Sequence, residues 1–469
     1  MESRRDQVHA YFYVVGRLNA AVMQGRPDPY EAPNRRPMLG LLIGMLLAVV
    51  IAGGFGIYGI FRPGGDRSWR QSGVVIAVRE TGARYLLIDD QLRPVLNYAS
   101  ARLVLGSGTP AKVTQVAQNS LRGLPVGAPI GIAGAPDAVP AADRLYTGDW
   151  TVCAQPPSAA GVPAATLMLG GVADSSPVGA EGGFLVRTAD RQTYLIWQGR
   201  RFRLSGPGAV ALGYAAVDAV PVTPAWLNPI PAGRDLAFPV VAGRGRRGPV
   251  IGGRASVVGQ VYTVRNPASG TVEQFLARSD GLARLSPTVA ALVLADPAIR
   301  RAYPGAAVSP ISVRPDEMAA ATVTASTEFV EGYPPTPPRV LNGEGLPCIR
   351  YGWSGGNVTV ALARVRAEQV SRALPVPRAA IAGGTVDRVL IAPGMGALTR
   401  NPYAPGAPGG AVFLVTEYGA KYPLPPAGVE ALGYAGRPPV DVPAELLELL
   451  PTGAVLDPAA ALRTQMVGG

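Results

Sequence analysis

The sequence predicts an α+β protein: a single transmembrane helix followed by a large domain of four small β-hairpin and helix units around a central β-rich core. Three observations carry this prediction. The first is an uncharged run of 24 residues, Met38–Phe61. The second is a set of four segments that share motifs in the same order. The third is the content of turn-forming residues, 59 Gly and 47 Pro in 469 residues, which leaves few long helices outside the uncharged run.

The composition is that of a folded protein, because hydrophobic residues make up 48% of the chain and charged residues only 16%. The formal net charge is +11, and the basic residues are nearly all arginines, since Lys112 and Lys421 are the only lysines. The single histidine, His9, precedes the uncharged run. A catalytic triad in the large domain is therefore excluded. A conventional four-ligand structural zinc site is not expected either, because the two cysteines, Cys153 and Cys348, and one segregated histidine cannot supply it.

The uncharged run Met38–Phe61 is long enough to cross a membrane. At the helical rise per residue it extends about 36 Å, against about 30 Å for the hydrocarbon core of a bilayer. It has no polar stripe, unlike a soluble helix, and it begins too far along the chain for a cleaved signal peptide. We therefore predict a first segment at residues 1–37, a transmembrane helix at 38–61 and one large domain at 62–469.

The segment before the span predicts an amphipathic helix between Ser3 and Gly25, with apolar side chains at helical spacing. Its apolar stripe is expected to lie on the membrane surface or to dock on the helices of a partner. Positive charges are nearly balanced on the two sides of the span, so charge alone does not set the orientation. The cysteine pair and the short arginine-rich N-terminus favour a cytoplasmic N-terminus and a large domain outside.

Internal repetition is clearest in two segments, where Leu212-Gly213-Tyr214 and Leu432-Gly433-Tyr434 follow predicted hairpins at the same offset. A Val-Pro pair and an apolar-Pro-x-Gly ending follow each of them. Two looser copies lie elsewhere in the large domain. We interpret each copy as a two-stranded hairpin with a short helix. The predicted repeat units cover residues of about 84–140, 182–239, 270–321 and 409–461.

The central core is predicted from the apolar segments between these units. Its expected strands are residues 73–78, 151–152, 166–169, 256–264, 322–329, 348–353, 357–363 and 385–392. Cys153 and Cys348 lie at the ends of two of these strands. Outside the cytosol the pair predicts one disulfide that closes a long loop, worth about 4–5 kcal/mol in loop-entropy models; in the cytosol it predicts two separate buried thiols.

Some short motifs match catalytic or binding patterns only in part. Gly352-Trp353-Ser354-Gly355-Gly356 fits the nucleophile elbow formally, but no histidine base accompanies it, so we interpret Ser354 as a turn residue. Asp89-Asp90 is interpreted as a solvated turn rather than an acid–base pair. The densest basic cluster, Arg244–Arg247, is interpreted as a solvated linker or as a contact for an acidic polymer or lipid head group. No aromatic and basic interleaving of the kind that binds nucleic acid is present.

A phosphate-binding loop is approached between Gly106 and Val113, where Gly106 and Lys112 occupy the expected positions. Ala111 replaces a required glycine, and Val113 replaces the Ser or Thr that holds magnesium. Pro110 removes one of the backbone N–H groups that bind phosphate. We therefore predict no catalytic residue, no metal and no cofactor, with ATP at Gly106 and Lys112 as the alternative.

The order of these motifs resembles EccB, the family of membrane components of the type VII (ESX) secretion systems of mycobacteria and related actinobacteria. The resemblance covers nearly the whole chain. It rests on DDQLRPVLNYASARLVLGS (Asp89–Ser107), GIAGAPDAVP (Gly131–Pro140), DWTVC (Asp149–Cys153), TYLIWQGRRFRL (Thr193–Leu204), DGLARLSPTVAAL (Asp280–Leu292) and KYPLPPAGVEALGYAG (Lys421–Gly436).

The resemblance implies a helix in the inner membrane and a periplasmic domain of four repeats around a β-rich centre with one disulfide, Cys153 to Cys348. The repeats of the family are similar to the cell-wall-binding subunit of a phage lysin. Its implied partners are EccC, EccD and EccE, in a complex of sixfold symmetry that exports folded helical substrates such as WXG-motif heterodimers. ATPase activity has been attributed to the family. We expect a membrane-anchored scaffold; the alternatives are a periplasmic ATP hydrolase and a cell-wall-binding anchor that acts alone.

Overall fold

The structure is a computed structural model that describes residues 4–25, 35–61, 68–71, 73–106, 112–157, 161–170, 175–354, 357–376, 384–404, 407 and 409–465. The chain forms two compact units. The first consists of Met1–Leu92 and Lys112–Gly127, and the second of Arg93–Ala111 and Ala128–Gly469. Each unit is described by itself.

The first unit contains two long helices and a small sheet. Its helices are α1 (Arg4–Gln24) and α2 (Arg35–Phe61), and its strands are β1 (Val74–Val78), β2 (Arg84–Ile88), β3 (Gln91–Pro94), which continues into the second unit, and β4 (Lys112–Val116). Strand β1 lies antiparallel to β2 and parallel to β4. A small core forms around Trp69, Ile76, Leu92 and Leu121. Asp89 and Asp90, both with positive φ, make the two-residue turn between β2 and β3, as expected for a solvated turn.

The second unit is organised around a seven-stranded sheet with the order β21-β22-β6-β5-β19-β20-β7. Its strands are β5 (Trp150–Gln155), β6 (Ala164–Leu169), β7 (Ser176–Pro177), β19 (Leu346–Ser354), β20 (Asn357–Val365), β21 (Leu374–Pro375) and β22 (Arg388–Ile391). The long hairpin of β19 and β20 pairs from Leu346 opposite Val365 to Ser354 opposite Asn357. This central sheet contains five of the eight segments expected in the core.

The second unit also contains three smaller sheets that share one topology. Each has three consecutive antiparallel strands and a fourth strand that runs parallel to the first of them. We call them the second, third and fourth sheets. The second sheet has β8 (Gly182–Arg187), β9 (Thr193–Trp197), β10 (Arg200–Leu204), β11 (Val220–Pro221) and an added β18 (Arg339–Val340). The third has β14 (Val261–Arg265), β15 (Val272–Arg278), β16 (Gly281–Leu285) and β17 (Ile311–Val313); the fourth has β23 (Ala397–Asn401), β24 (Ala411–Val415), β25 (Lys421–Pro423) and β26 (Val440–Asp441).

Short helices and one extra hairpin complete the second unit. The helices are α3 (Tyr98–Leu105), α4 (Gly206–Ala211), α5 (Pro224–Leu227), α6 (Pro287–Ala295), α7 (Pro315–Ala319), α8 (Ala367–Ser371), α9 (Pro426–Ala431), α10 (Ala444–Leu447) and α11 (Pro458–Ala461). The extra hairpin is β12 (Arg247–Ile251) with β13 (Arg254–Val257). The predicted boundaries of the four repeat units stay a prediction.

The helix ends follow from their local sequences. The residues before three of the helices, Ser205, Thr223 and Ser286, each accept a hydrogen bond from a backbone N–H of the first turn. Each of these helices also has a proline as its first or second residue. At the other end, Gly213 and Gly433 have φ of 78° and 79°, a left-handed conformation that favours glycine. The Leu-Gly-Tyr motif is therefore the C-terminal cap of α4 and of α9.

Three segments expected in the central core lie elsewhere. Residues 73–78 form β1 of the first unit, and 256–264 contribute to β13 and β14. Residues 322–329 contain only a single bridge, from Val323 to Leu282. The first two predictions were wrong because β1 and β14 pair with the next strand along the chain, β2 and β15, and a local pairing is favoured over a distant one. The third was wrong because residues 322–329 form no strand and pair only through the bridge to Leu282 of the third sheet.

Candidate functional site

The most distinctive functional element of the first unit is α2. Met38–Tyr58, 21 residues with a mean hydropathy of 2.5, is long and apolar enough to cross a membrane, and none of this stretch is buried against the rest of the chain. The span predicted at 38–61 falls within α2. A helix with long apolar side chains on every face must be surrounded by lipid or by other apolar helices.

Helix α1 carries a second exposed apolar surface. Tyr11, Phe12 and Leu18 are each at least 60% exposed, and Val22 is 80% exposed. The helix covers the range expected from the sequence, and His9 is exposed on it. This arrangement matches a helix whose apolar residues meet a membrane surface or a partner rather than the protein's own core.

The central sheet of the second unit is tied by a disulfide. Cys153 on β5 lies directly opposite Cys348 on β19, their Cα atoms are 4.1 Å apart, and the structure joins them by a bond across a separation of 195 residues. Both cysteines are fully buried beside Met168 and Val365. The second and third sheets lie within the closed loop, so the bond constrains the part of the chain that contains them.

The second and fourth sheets are fastened by tyrosines and by packing on the central sheet. The hydroxyl of Tyr214 donates to the carbonyl of Pro338 at 2.7 Å, and the hydroxyl of Tyr434 donates to the carbonyl of Pro140 at 2.6 Å. Burial raises the pKa of Tyr214 to about 12 and also raises the pKa of Tyr434. The tyrosines were visible in the repeated Leu-Gly-Tyr, but their distant acceptors were not.

Trp226 of α5 connects the second sheet to the central one. Its indole N–H donates to the carbonyl of Val152 at 3.1 Å, and the side chain is fully buried. It belongs to a core that also contains Trp150 and Leu446. A rigid, desolvated core of this kind holds the sheets in one arrangement.

Lys421 is a buried cation that sequence reasoning did not single out beyond its rarity. Its ammonium donates to the carbonyls of Leu447 and Leu450 at 2.6 and 2.7 Å, and the residue is 8% exposed. Burial lowers its pKa, and nearby Glu448 acts in the opposite direction. The lysine satisfies the carbonyl of Leu447, the last residue of α10, and that of Leu450 beyond the helix, which is a structural role.

The incomplete phosphate-loop motif falls partly on residues that the structure does not describe. Gly106 caps α3 with φ 71°, and Lys112 is the exposed first residue of β4. Residues 107–111 lie outside the described residues. Within the described ranges, no group of three or more His, Cys, Asp or Glu side chains is placed to hold a metal ion.

The other partial motifs of the sequence, the Ser354 segment and Arg244 of the arginine cluster, lie at positions where they serve the fold. Ser354 is the last residue of β19 and pairs with Asn357, the first residue of the strand β20, whereas a nucleophile elbow needs a strand that leads into a helix. Gly355 and Gly356 lie outside the described residues. The interpretation of Arg244–Arg247 as a solvated linker was wrong for Arg244, which forms a largely buried ion pair with Asp296. That partner lies in a distant part of the sequence.

Comparisons with known proteins agree with one another. The family described as type VII secretion system ESX-1, transport TM domain B, matches residues 2–467. The ESX-3 secretion system ATPase EccB3 of Mycobacterium tuberculosis is 29% identical, over 98% of this chain and 89% of the relative. Its counterpart in Mycolicibacterium smegmatis is 28% identical, over 98% and 90%.

Two solved structures are similar in fold. An intact ESX-5 inner membrane complex contains a chain with a TM-score of 0.68 and 24% identity, over 100% of this chain and 97% of that one. An EccB3 dimer from the ESX-3 core complex gives a TM-score of 0.64 and 25% identity, over 83% and 99%. The family match extends from α1 to the end of α11, and the chain therefore belongs to the EccB family of type VII (ESX) secretion transport proteins.

Proposed function

We propose that this protein is a structural, membrane-anchored core subunit of a type VII secretion complex, and that its large domain scaffolds the periplasmic side of the export machine. The observation that carries the proposal is the family match over residues 2–467. The similar chains come from an inner membrane complex, from a periplasmic assembly and from a dimer of a core complex. The span in α2 and the tied central sheet are what such a scaffold needs, an anchor and a rigid body.

The partners that we propose are the other membrane subunits of the system, EccC, EccD and EccE, together with further copies of this chain in an assembly of sixfold symmetry. The exposed apolar surfaces of α1 and α2 support this assignment, because both are available to neighbouring helices. Secreted WXG-type substrates would meet the complex rather than this chain alone.

Removal of the gene from its native host tests this function. We expect loss of type VII export and, in the same cells, loss of the large membrane complex that the remaining subunits form on a native gel. Reintroduction of the full chain restores both. Normal assembly of the complex without this chain would contradict a scaffold role, even if export were reduced.

The orientation that we propose places the N-terminus in the cytoplasm and the large domain in the periplasm of a single-pass inner membrane protein. A disulfide is typical of an oxidising compartment, which supports this side for the large domain. Single cysteines at Ala10 in α1 and at Ala216 in an exposed turn provide a matched pair of probes. We expect a membrane-impermeant maleimide to label A216C in spheroplasts and A10C only after lysis; the reverse pattern would overturn the orientation.

We propose that the chain is not an ATP hydrolase and holds no cofactor. The curated relatives carry the word ATPase in their names, which makes hydrolysis the main alternative. What supports our proposal is the sequence itself, with Ala111 and Val113 at positions where a phosphate loop needs Gly and a hydroxyl residue. Unchanged residual hydrolysis in highly purified Lys112→Ala protein is expected, and proportional loss of hydrolysis and ATP binding would favour the alternative.

A third function, a cell-wall anchor that acts alone, follows only from the similarity of the family's repeats to a wall-binding subunit. Full retention of the purified chain on isolated wall material, combined with extraction as a monomer, would favour it. We expect instead that the chain leaves the membrane in company with other subunits.

A further inference from the structure

The stretch of the second unit from Arg244 to Arg301 carries an excess of positive charge. It contains nine arginines and three carboxylates, a net charge of +6 in a chain whose formal net charge is +11. Each of the three carboxylates already pairs with an arginine of the same stretch, as Arg244 with Asp296, Arg278 with Asp280 and Arg284 with Glu273. The other six arginines have no carboxylate partner among the residues that the structure describes.

Four of these six arginines lie on two segments that contact each other. Arg246 and Arg247 lie where the chain enters β12, and Arg300 and Arg301 lie on the short 3-10 helix Pro297–Ala302. An added Cβ at Gly245 would lie 3.2 Å from the carbonyl oxygen of Arg301 and 3.3 Å from its Cβ. We call these four arginines the arginine patch: Arg246, Arg247, Arg300 and Arg301.

A largely buried ion pair holds the two segments together. The guanidinium of Arg244 pairs with the carboxylate of Asp296, and their side chains are 11% and 12% exposed. Asp296 also accepts a hydrogen bond from the backbone N–H of Ala298 and so begins the 3-10 helix. Gly245 has a φ of 85°, a conformation that favours glycine, and its backbone N–H donates to the carbonyl of Val258 at 2.9 Å. The patch is therefore positioned by groups other than its own four side chains.

The four side chains of the arginine patch are all exposed, so a ligand can reach them. Within the described part of the chain, none of their guanidinium groups has an ion pair or a hydrogen bond. Positive charges held close together repel one another, and this repulsion is relieved only by anions from outside the chain. All the donors of the patch are therefore available to an anionic ligand.

The neighbours of the arginine patch indicate which kind of anion fits. Residues 242–249 and 297–302 include no aromatic residue, and their one long apolar side chain, Ile299, is buried. Protein partners, nucleobases and membrane surfaces are recognised with the help of apolar or aromatic side chains. A surface that offers only charge favours a ligand with many oxyanions, because several weak contacts to one ligand add together. Guanidinium groups match both phosphate and carboxylate oxygens.

We propose that the arginine patch binds a linear anionic polymer, a chain that carries phosphate or carboxylate groups at regular intervals. The four guanidinium groups contact successive oxyanions of the polymer through charge-assisted hydrogen bonds. The ion pair of Arg244 and Asp296 keeps the two halves of the patch side by side. This binding goes beyond the proposed scaffold function and does not depend on it, because it rests on the charges and contacts of one part of the second unit.

The test uses the full chain in phosphatidylcholine nanodiscs and two fluorescently labelled probes, linear polyphosphate and poly-L-glutamate, titrated by fluorescence anisotropy. We expect saturable binding of at least one of the two polymers and no binding of labelled neutral dextran. Affinity should fall more than about tenfold when the salt concentration rises from about 50 to about 200 mM, because each contact releases counter-ions. The polymer that binds more tightly identifies the oxyanion as phosphate or carboxylate.

Two double variants each remove one half of the arginine patch: Arg246→Gln with Arg247→Gln, and Arg300→Gln with Arg301→Gln. Each should weaken binding of the polymer by about tenfold, since an exposed charge contact is worth up to about 1 kcal/mol. The matched control is Arg265→Gln with Arg284→Gln, which removes the same charge from exposed positions on the third sheet outside both segments. Because all the substituted side chains are exposed, the melting temperature should stay close to that of the wild type.

Three results would overturn the proposal. Equal losses of affinity in the control and in both patch variants would show that net charge alone attracts the polymer. A loss in only one of the two patch variants would show that the two segments do not form one site. Failure to bind either polymer at about 50 mM salt, combined with patch-dependent binding to phosphatidylglycerol vesicles, would assign the patch to a membrane surface instead.

Discussion

The second and fourth sheets share the contacts that hold each hairpin to its helix, but they differ in the side chains at one strand position and in one helix. In each, a glycine in the helix after the hairpin packs against a backbone carbonyl: an added Cβ would lie 2.3 Å from Leu236 O at Gly208 and 2.3 Å from Leu456 O at Gly428. In each, the tyrosine after the capping glycine donates to the carbonyl of a distant proline. These shared contacts explain why glycine and tyrosine recur at fixed offsets.

The difference lies at one strand position and in one helix. Lys421 of the fourth sheet donates to the carbonyl of Leu447 in α10 and to that of Leu450 beyond the helix, whereas Arg201 lines a cavity. Trp226 of α5 donates to the central sheet, and the corresponding helix α10 has Leu446, a side chain with no hydrogen-bonding group. A common framework thus sets the fold, while the residues that are free to differ decide where the surface is sealed and where it stays open.

Loss of the disulfide is expected to reduce the stability of the fold most, because the bond ties the central sheet, on which the second and fourth sheets pack. Replacement of Cys153 and Cys348 by alanine together should lower the free energy of unfolding by about 4–5 kcal/mol. Chemical denaturation of the detergent-solubilised chain, followed by tryptophan fluorescence, measures it. A loss below about 1 kcal/mol would show that the bond does not constrain the loop that contains the second sheet.

The shared framework is tested by Gly208→Ala and Gly428→Ala. Each added methyl meets a backbone oxygen that cannot move aside, so each should destabilise the chain by about 3 kcal/mol, and by similar amounts. Gly206→Ala in the same helix as Gly208 is the control, because its Cβ would meet nothing within 4 Å and alanine favours a helix. Unequal losses of stability at the two glycines would show that the second and fourth sheets do not share this contact.

The difference between the sheets is tested by replacing each cation with methionine. Lys421→Met leaves two buried carbonyls without a donor and should cost about 2–3 kcal/mol. Arg201→Met removes a long hydrogen bond at a half-buried position and should cost less than about 1 kcal/mol. Denaturation midpoints compare them directly, and equal costs would refute the distinction between a sealed and an open position.

The change in stability that we expect to be smallest near neutral pH comes from the ionisation of a buried tyrosine. The folded pKa of Tyr214 is about 12, against 10.0 for the unmodified side chain, because burial disfavours the phenolate. The folded form therefore keeps its proton while the unfolded form loses it, so the stabilising contribution is complete below pH 10 and is lost as the pH rises from about 10 through about 12. Denaturation midpoints should fall over this window, and less steeply in Tyr214→Phe; an identical fall in the variant would exclude Tyr214 as a cause.

Local patterns predicted the elements that depend on local contacts. The uncharged run marked α2, and Leu-Gly-Tyr marked helix caps that need a left-handed glycine. Pairing across long distances was less accessible: residues 256–264 were expected in the central sheet but pair with their sequence neighbour β15. Likewise, nothing near Arg244 announced Asp296, and the cavity beside Tyr351 arises only where three distant segments converge.

Purification of the tagged full chain from its native membrane in a mild detergent tests whether the chain is a structural subunit of a larger membrane machine. The mass of the eluted particle and the identity of its components are then measured by native mass spectrometry. We expect several copies of this 48.5 kDa chain together with other type VII membrane subunits. Recovery of the intact chain as a monomer without those subunits would contradict a scaffold role.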